Sequence, residues 1–472
     1  MHQRSLLRTV SLALLLTTMG AVAQAQTFAY VAQSRAHQVS VIDTSTNAVV
    51  ASILTNLQPF SIVVSRDGSR AYVSTFRVGP PPFGDTSPNA TIAVIDTATN
   101  TVVVTIPVPT LSFYLAISPD GTRLYASNPN FNGAGITVID TSSDSVVGAI
   151  PTPGTSSNGL AVTPDGAHLY IASGYTGDIF IADTTTNTIV DTIFDPAFTG
   201  TDGLALSPDG SRLYASSHFA LRTIDTATKA ALASHDDFGG VRITVSPDGT
   251  KAYLCGAAVD GGPFWVDDTA TNAVTPFTDF DGAWVDTAFT PDSAFAYVTD
   301  YLNSRVVVFD TASNTAVAET PLGQGTAPRG IAIGTLPPTT PFAGFDVSKL
   351  QLNSQGVSEA GSFTLGSTAQ TSAAAASTGI DPVTQPVTFT IGSYVQAIPA
   401  GTFRKNGANL HWKFEGTLNG VKLNISLKQR GQSTTQFDYT FDAKNGPVLT
   451  GLPRPIRVGL KIGRNIGSAL VP

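Results

Sequence analysis

The sequence predicts an all-β chain: a seven-bladed β-propeller followed by a small antiparallel β-sandwich-like domain. Two observations carry the propeller. Tyr30, Tyr72, Tyr125, Tyr170, Tyr214, Tyr253 and Tyr297 each open a short strand-like segment, such as AYVAQ, AYVST or LYASN, at spacings of 42, 53, 45, 44, 39 and 44 residues. A period of about 40–45 residues with four short β segments per unit is the pattern of a propeller blade. The composition agrees: only 13% of residues are charged, while Gly 43 and Pro 30 suit many short strands joined by tight turns.

The chain opens with Arg4 and Arg8, an apolar run from Val10 to Val22, and Ala23-Gln24-Ala25. Positive charge, a short apolar core and a small-x-small site together read as a secretory signal peptide over 1–25, cut before Gln26. No transmembrane segment is expected after cleavage. Cys255 is the single cysteine, so no intramolecular disulfide forms and the fold must rest on burial and ring closure.

Each unit then repeats three phrases. The tyrosine strand comes first. A second strand follows and ends in an Asp-Thr turn, as in VSVIDTSTN, IAVIDTATN and ITVIDTSSD, with the turn aspartates at Asp43, Asp96, Asp140, Asp183, Asp225, Asp268 and Asp310. An aspartate side chain accepts backbone N–H groups two residues on and so starts a turn. A short outer strand such as VVVTIP follows. The third phrase is an apolar strand leading to Pro-Asp-Gly, as in YLAISPDG and GLAVTPDG, with Ala116, Ala161, Ala205, Ala288 and Ala332 on one face. Small residues there suit an innermost strand near the axis.

The phase of the repeat predicts ring closure. The propeller region starts at the second strand of a blade and ends, in RGIAIGTLPP, with an isolated first strand. Strand 329–333 should therefore complete the blade begun at the N-terminus, covering edges that would otherwise be open. The propeller is assigned to 26–335.

AYVAQ, VSVIDTSTN, AISPDGTRLYASN and AYVTD resemble the YVTN-repeat β-propeller family of archaeal surface-layer proteins and secreted bacterial proteins. The resemblance covers roughly residues 28–334. It implies the fold and a secreted or surface setting. Its motifs are turns and strands, so it implies no catalytic residue. Unit two departs by a long insertion over 77–90, and unit five is short.

A Pro-rich linker is expected over 336–341 and a second β domain over 342–472. Strands are expected at 343–352, 362–366, 386–398, 435–442 and 455–462. A hairpin is expected around Asn419-Gly420, where Val421, Leu423, Ile425 and Leu427 alternate with polar residues. The Ala/Ser/Thr run 368–378 reads as a loop.

Charge divides the chain. Residues 26–341 carry 12 Lys+Arg against 28 Asp+Glu, while 342–472 carry 12 against 6. An acidic propeller repels phosphate backbones, which excludes nucleic acid as a partner. The five histidines after the signal form no ligand spacing, no Cys-x-x-Cys-His is present, and no Gly-x-Ser-x-Gly elbow has a base beside it. Asp279, Asp281 and Asp286, or Asp236 and Asp237, hold oxygen donors of the kind calcium takes, but turn and solvated-face roles account for them. Catalytic residues, metal and cofactor are all expected to be none.

What remains is the mouth of the propeller. Aligned on the turn aspartate, the first position of each inner strand reads Phe60, Phe113, Asn158, Asp202, Val241, Val285 and Arg329. The next reads Ser61, Tyr114, Gly159, Gly203, Arg242, Asp286 and Gly330. These positions differ between units while the strand cores repeat, so unlike side chains meet at one concave end. The candidate ligand-binding residues are Phe60, Phe113, Tyr114, Asn158, Asp202, Arg242, Asp286 and Arg329. The expected function is a secreted, monomeric, non-enzymatic scaffold that binds a protein, a glycan or a cell-surface component in the periplasm or outside the cell. The alternatives are a propeller lactonase or hydrolase with its site at the axial mouth, and a docking subunit of a periplasmic redox complex.

Overall fold

The computed structural model describes residues 26–77, 90–128, 135–153, 156–174, 176–195, 200–256, 264–277 and 282–336, and the strands between 340 and 471. The signal-peptide region, most of the unit-two insertion, the 368–378 run and Asn419-Gly420 lie outside the described residues.

Seven four-stranded antiparallel sheets form the blades of a propeller. The inner strands, numbered by blade from one to seven, are Pro328–Leu336, Gln58–Val64, Leu115–Ile117, Ser157–Val162, Gly203–Leu206, Arg242–Val245 and Trp284–Phe289. Blade one is built from both ends of the region. Pro328–Leu336 pairs antiparallel with Gln26–Gln33, from Gln26 opposite Leu336 to Gln33 opposite Pro328.

The seven tyrosines are buried, each at 5% exposure or less. Burying an aromatic ring removes about 150–250 Å² from water. The alanine face of the inner strands has a direct cause. Ala116, Ala161, Ala205, Ala288 and Ala332 stand directly opposite Tyr125, Tyr170, Tyr214, Tyr297 and Tyr30 on the adjacent strand. A methyl group there leaves room for the ring. Hydroxyls also tie blades together: Tyr253 Oη donates to Asn314 Oδ1 at 3.1 Å, and Tyr297 Oη to Asn47 Oδ1 at 2.5 Å across the closure.

The turn phrases act as a pair. The aspartate of the Asp-Thr turn accepts backbone N–H groups within its own turn, as Asp183 does from Thr185 and Thr186. The fifth residue of the turn is left-handed in all seven blades, from Asn47 (φ 56°) to Asn314 (φ 53°); it is Asn in five, Asp144 in one and Lys229 in another. Asn and Asp tolerate this region best among non-glycine residues. The threonine reaches the neighbouring turn instead. Thr97, Thr141, Thr184, Thr226 and Thr269 donate to the carbonyls of Gly68, Gly121, Gly166, Gly210 and Gly249. One end of each blade is thereby stapled to itself.

In the C-terminal region backbone pairing sets ten strands in one order: Tyr394–Ile398, Val387–Ile391, Ile456–Ile462, Asn465–Val471, Thr340–Asn353, Gly356–Leu365, Gln436–Lys444, Val421–Gln429, His411–Leu418 and Arg404–Lys405. Nearly all pairs are antiparallel. The exception is a parallel joint of Thr340 and Pro341 with Asn465 and Ile466, which arises because the long strand Thr340–Asn353 serves two ladders. Leu336 and Thr340 thus belong to strands, so the expected linker is shorter than 336–341. Ile425 and Leu427 are buried and Asn424 is exposed, as the alternation requires.

Gly68 has φ +69°, and a Cβ there would lie 2.0 Å from the Thr335 carbonyl oxygen of the closing strand. Gly68→Ala is expected to destabilise the propeller by about 2 kcal/mol or more, read from denaturant melts. A second prediction concerns Asp267, which is fully buried with neither carboxylate oxygen hydrogen-bonded among the described residues. Burial pushes its pKa up from 3.8 to about 6, against the pull of His235. The folded chain therefore holds this proton more tightly than the unfolded chain. Stability falls as pH rises from 3.8 through 6, by about 3 kcal/mol in all. Asp267→Asn should raise the melting temperature at pH 7.5 and leave it nearly unchanged at pH 4.

Candidate functional site

At the end of the axis opposite the Pro-Asp-Gly turns, each blade delivers one residue to a single cavity of about 400 Å³. Phe60, Phe113, Asn158, Asp202, Val241, Val285 and Arg329 line it, joined by Tyr114, Arg242, Ser156 and Gly174. Its volume lies in the range of small-ligand pockets, about 300–1,000 Å³.

One residue further along the inner strands, space decides the residue type. A Cβ on Gly159 would meet the Asp202 carbonyl oxygen at 2.6 Å, one on Gly203 the Ser216 Oγ at 2.6 Å, and one on Gly330 the Phe60 carbonyl oxygen at 2.6 Å. Two blades carry long side chains there, and both project across the axis. Blades three and six stand on opposite sides of the ring. Tyr114 Oη donates to the Val241 carbonyl at 2.8 Å, and Arg242 Nη2 donates to the Phe113 carbonyl at 2.9 Å. The Arg242 guanidinium lies 3.9 Å from the Tyr114 ring centroid. This reciprocal brace forms the floor of the cavity. Burial pushes the Tyr114 pKa up, so the hydroxyl stays a donor.

Asp286 does not line the cavity, contrary to its place among the candidates. It is 7% exposed, and its carboxylate accepts backbone N–H bonds from Thr287 at 3.0 Å and Ile331 at 3.2 Å. Arg242 Nη1 stands 3.7 Å away. Burial raises the Asp286 pKa and Arg242 opposes the shift. Asp286 is a positioning residue that anchors the Arg242 brace from below.

The two walls differ in chemistry. On one, Phe60 and Phe113 stack with centroids 4.7 Å apart, and Phe76 sits 5.7 Å from each. Arg329 lies between two rings, 4.6 Å from the Phe60 centroid and 4.9 Å from that of Tyr301. Arg35 lies 5.5 Å from the same Tyr301 centroid. Burial holds the Arg329 pKa below its ordinary value; the Tyr301 contact opposes this, and Arg242 and Arg35 add to it. On the other wall, Asp202 accepts from Asn158 Nδ2 at 2.9 Å and bonds His218 Nδ1 at 2.8 Å. Burial raises the Asp202 pKa, while His218 and Asn158 pull it down.

Seven of the eight candidates therefore meet in one cavity. Sequence reasoning missed His218, Tyr301 and Gly174, all of which fall four residues after a blade tyrosine. Aligning that strand exit would have found them. It also missed Arg35 and Ser156, which share no such register. Asp279 and Asp281, weighed as calcium donors, lie outside the described residues. Among the described residues no cluster of three or more metal-ligating side chains occurs. Cys255 is buried with Sγ 3.2 Å from Thr287 Oγ1, and burial pushes its thiol pKa up.

A second cavity, of about 480 Å³, lies between blades four and five at the turn end. It forms because His168 stands where Arg70 and Arg212 reach the next blade, at Asp144 and the Thr269 carbonyl. Its acids are already engaged: Asp165 and Asp209 cap their own turns and Asp191 pairs with Lys229. Larger volume does not make it the better site, because the acids that line it already serve their own turns or an ion pair.

No family model matches the chain. A 99-residue stretch is 37% identical to the seven-bladed beta-propeller protein Rv1057 of Mycobacterium tuberculosis, covering 21% of this chain and 23% of that protein. The match thus spans less than a quarter of the relative. Among solved structures, a functionally unknown protein from Desulfotomaculum acetoxidans superposes with a TM-score of 0.53 at 15% identity, over 66% of this chain and 99% of that one. That likeness concerns the fold alone.

The brace makes its own prediction. Arg242→Met leaves the Asp286 carboxylate buried without its counter-charge, which should cost about 3–5 kcal/mol at pH 7. The loss should shrink as pH falls and Asp286 takes up a proton. Arg242→Met with Asp286→Asn should recover much of it in the same melts.

Proposed function

We propose that this chain is a secreted, non-enzymatic propeller of the YVTN-repeat type that binds a protein or glycan partner at its axial mouth. One observation carries the reading: seven blades with repeating frames deliver five kinds of side chain, aromatic, aliphatic, amide, acidic and basic, to one cavity. A structural ring needs the frames alone. Unlike residues converging on a concave, part-apolar site with a few fixed polar groups are the general form of a recognition site. The brace and the Asp202–Asn158–His218 cluster hold these groups in place before any ligand arrives, which lowers the ordering cost of binding.

A second reading, a hydrolase or lactonase at the same mouth, is favoured by one pair. His218 is bonded through Nδ1 to a buried carboxylate and is itself well exposed, which is how a general base is oriented.

Glycan- and peptide-array binding by residues 26–472, with parallel assay for product, separates the two. The expected result is selective binding, weakened tenfold or more by Asn158→Ala, with no product formed. Binding that ignores Asn158→Ala and Phe113→Ala overturns the mouth as the site. Turnover abolished by His218→Gln establishes the enzyme reading instead.

A further inference from the structure

We propose that the mouth recognises a compact hydroxylated carboxylate, a sugar acid either free or at the end of an acidic polysaccharide, with Arg329 as the group that holds its carboxylate. The inference rests on the mouth being the binding end and adds the class of ligand.

Arg329 is placed as an anion receptor. The rings of Phe60 and Tyr301 lie 4.6 and 4.9 Å from its guanidinium, and Tyr301 also hydrogen-bonds it. The remaining N–H groups of its planar edge have the geometry that takes a carboxylate in two parallel bonds. No carboxylate lies within ion-pair distance of it among the described residues. After burial and the Tyr301 contact, Arg329 feels two further cations, Arg242 and Arg35. Of the three, Arg242 alone has a counter-charge among the described residues, Asp286. This is unusual in a region with 12 Lys+Arg against 28 Asp+Glu. Two arginines, Arg242 and Arg329, line the mouth of an acidic propeller, with Arg35 beside the same Tyr301 ring. A cation gathered in a low-dielectric cleft draws an anion more strongly than one on an open surface.

The far wall limits what else the ligand carries. Blade five, which supplies Asp202, stands across the ring from blade one, which supplies Arg329. Asp202 is already bonded by Asn158 and His218, so this wall offers an amide oxygen and an imidazole nitrogen to neutral hydroxyls. A second anionic group there would meet the Asp202 carboxylate. A terminal sugar acid with one carboxylate and several hydroxyls satisfies both walls, and about 400 Å³ confines the enclosed part to a sugar ring or two, so the further rings and carboxylates of an oligomer stay outside.

The test is calorimetric titration of residues 26–472 with D-glucuronate, trigalacturonate, D-glucose and glucose 6-phosphate, at 20 and 300 mM NaCl. Glucuronate or trigalacturonate should bind at least tenfold more tightly than glucose, and added salt should weaken that binding alone. The monosaccharide arm against the trisaccharide arm tells a free acid from a polymer end. Arg329→Met keeps an extended apolar side chain between the two rings and should abolish the preference. Arg329→Lys, with charge but no planar fork, should recover it only in part. Salt-independent binding by the wild type, which needs no variant to fold, overturns the inference. So does glucose 6-phosphate matching glucuronate. Glucose matching glucuronate overturns it while leaving the mouth a binding site. If no probe binds, the carboxylate site is overturned, and the array experiment with Asn158→Ala and Phe113→Ala still decides the binding reading separately.

Discussion

Seven strands have to run side by side toward one axis, and the shortage of room there governs most of what this molecule does. Where the strands begin, a Cβ on Gly159 or Gly330 would collide with a neighbouring backbone, and one on Gly203 with the Ser216 hydroxyl. Two residues along, five blades place alanine opposite the blade tyrosine, where a small side chain leaves room for the ring, and Val63 and Thr244 take that place opposite Tyr72 and Tyr253. The space left on the axis is narrow enough to be bridged by two side chains. Tyr114 and Arg242 do so, each bonding the backbone of the blade that supplies the other. Crowding below and freedom above together make a cup.

The two ends of the ring are built on opposite principles. At the turn end each local choice serves geometry: aspartate caps, left-handed asparagines, and threonines that reach the glycine carbonyl of the adjacent turn. At the mouth the residues are released from that duty. Some still look structural, because they hold one another: Asp286 holds Arg242, and Asn158 and His218 hold Asp202. Such preorganisation suits a site whose polar groups must stay aligned when water is displaced.

The propeller was largely legible in the sequence because its determinants are local and repeated. A tyrosine every blade and a turn phrase every blade give the register, and the register gives the mouth positions, so Phe60, Phe113 and Arg329 could be named together. Asp286 stands at the strand position of Tyr114 and Arg242 and still differs, because its shorter side chain does not cross the axis and its carboxylate turns toward the Ile331 amide. His218 and Tyr301 were passed over because they sit after a strand, where no repeated phrase marks them. The C-terminal region offers no period to count by. Its hydrophobic alternation located most strands, while the last strand, Asn465–Val471, and the parallel joint at Thr340 depend on pairing partners far away in the chain. Local pattern cannot encode that choice.

The closing blade also sets a clock. Gln26–Gln33 leaves the ribosome long before its inner partner Pro328–Leu336, which is made only after six other blades. At about 5–20 residues per second the wait is some tens of seconds. Through that interval the first strand carries an unpaired backbone edge able to join another copy of itself. The ring is therefore most exposed to misassembly while it is being made, and the seam that completes it is also the step at which the finished molecule becomes safe from its own chain.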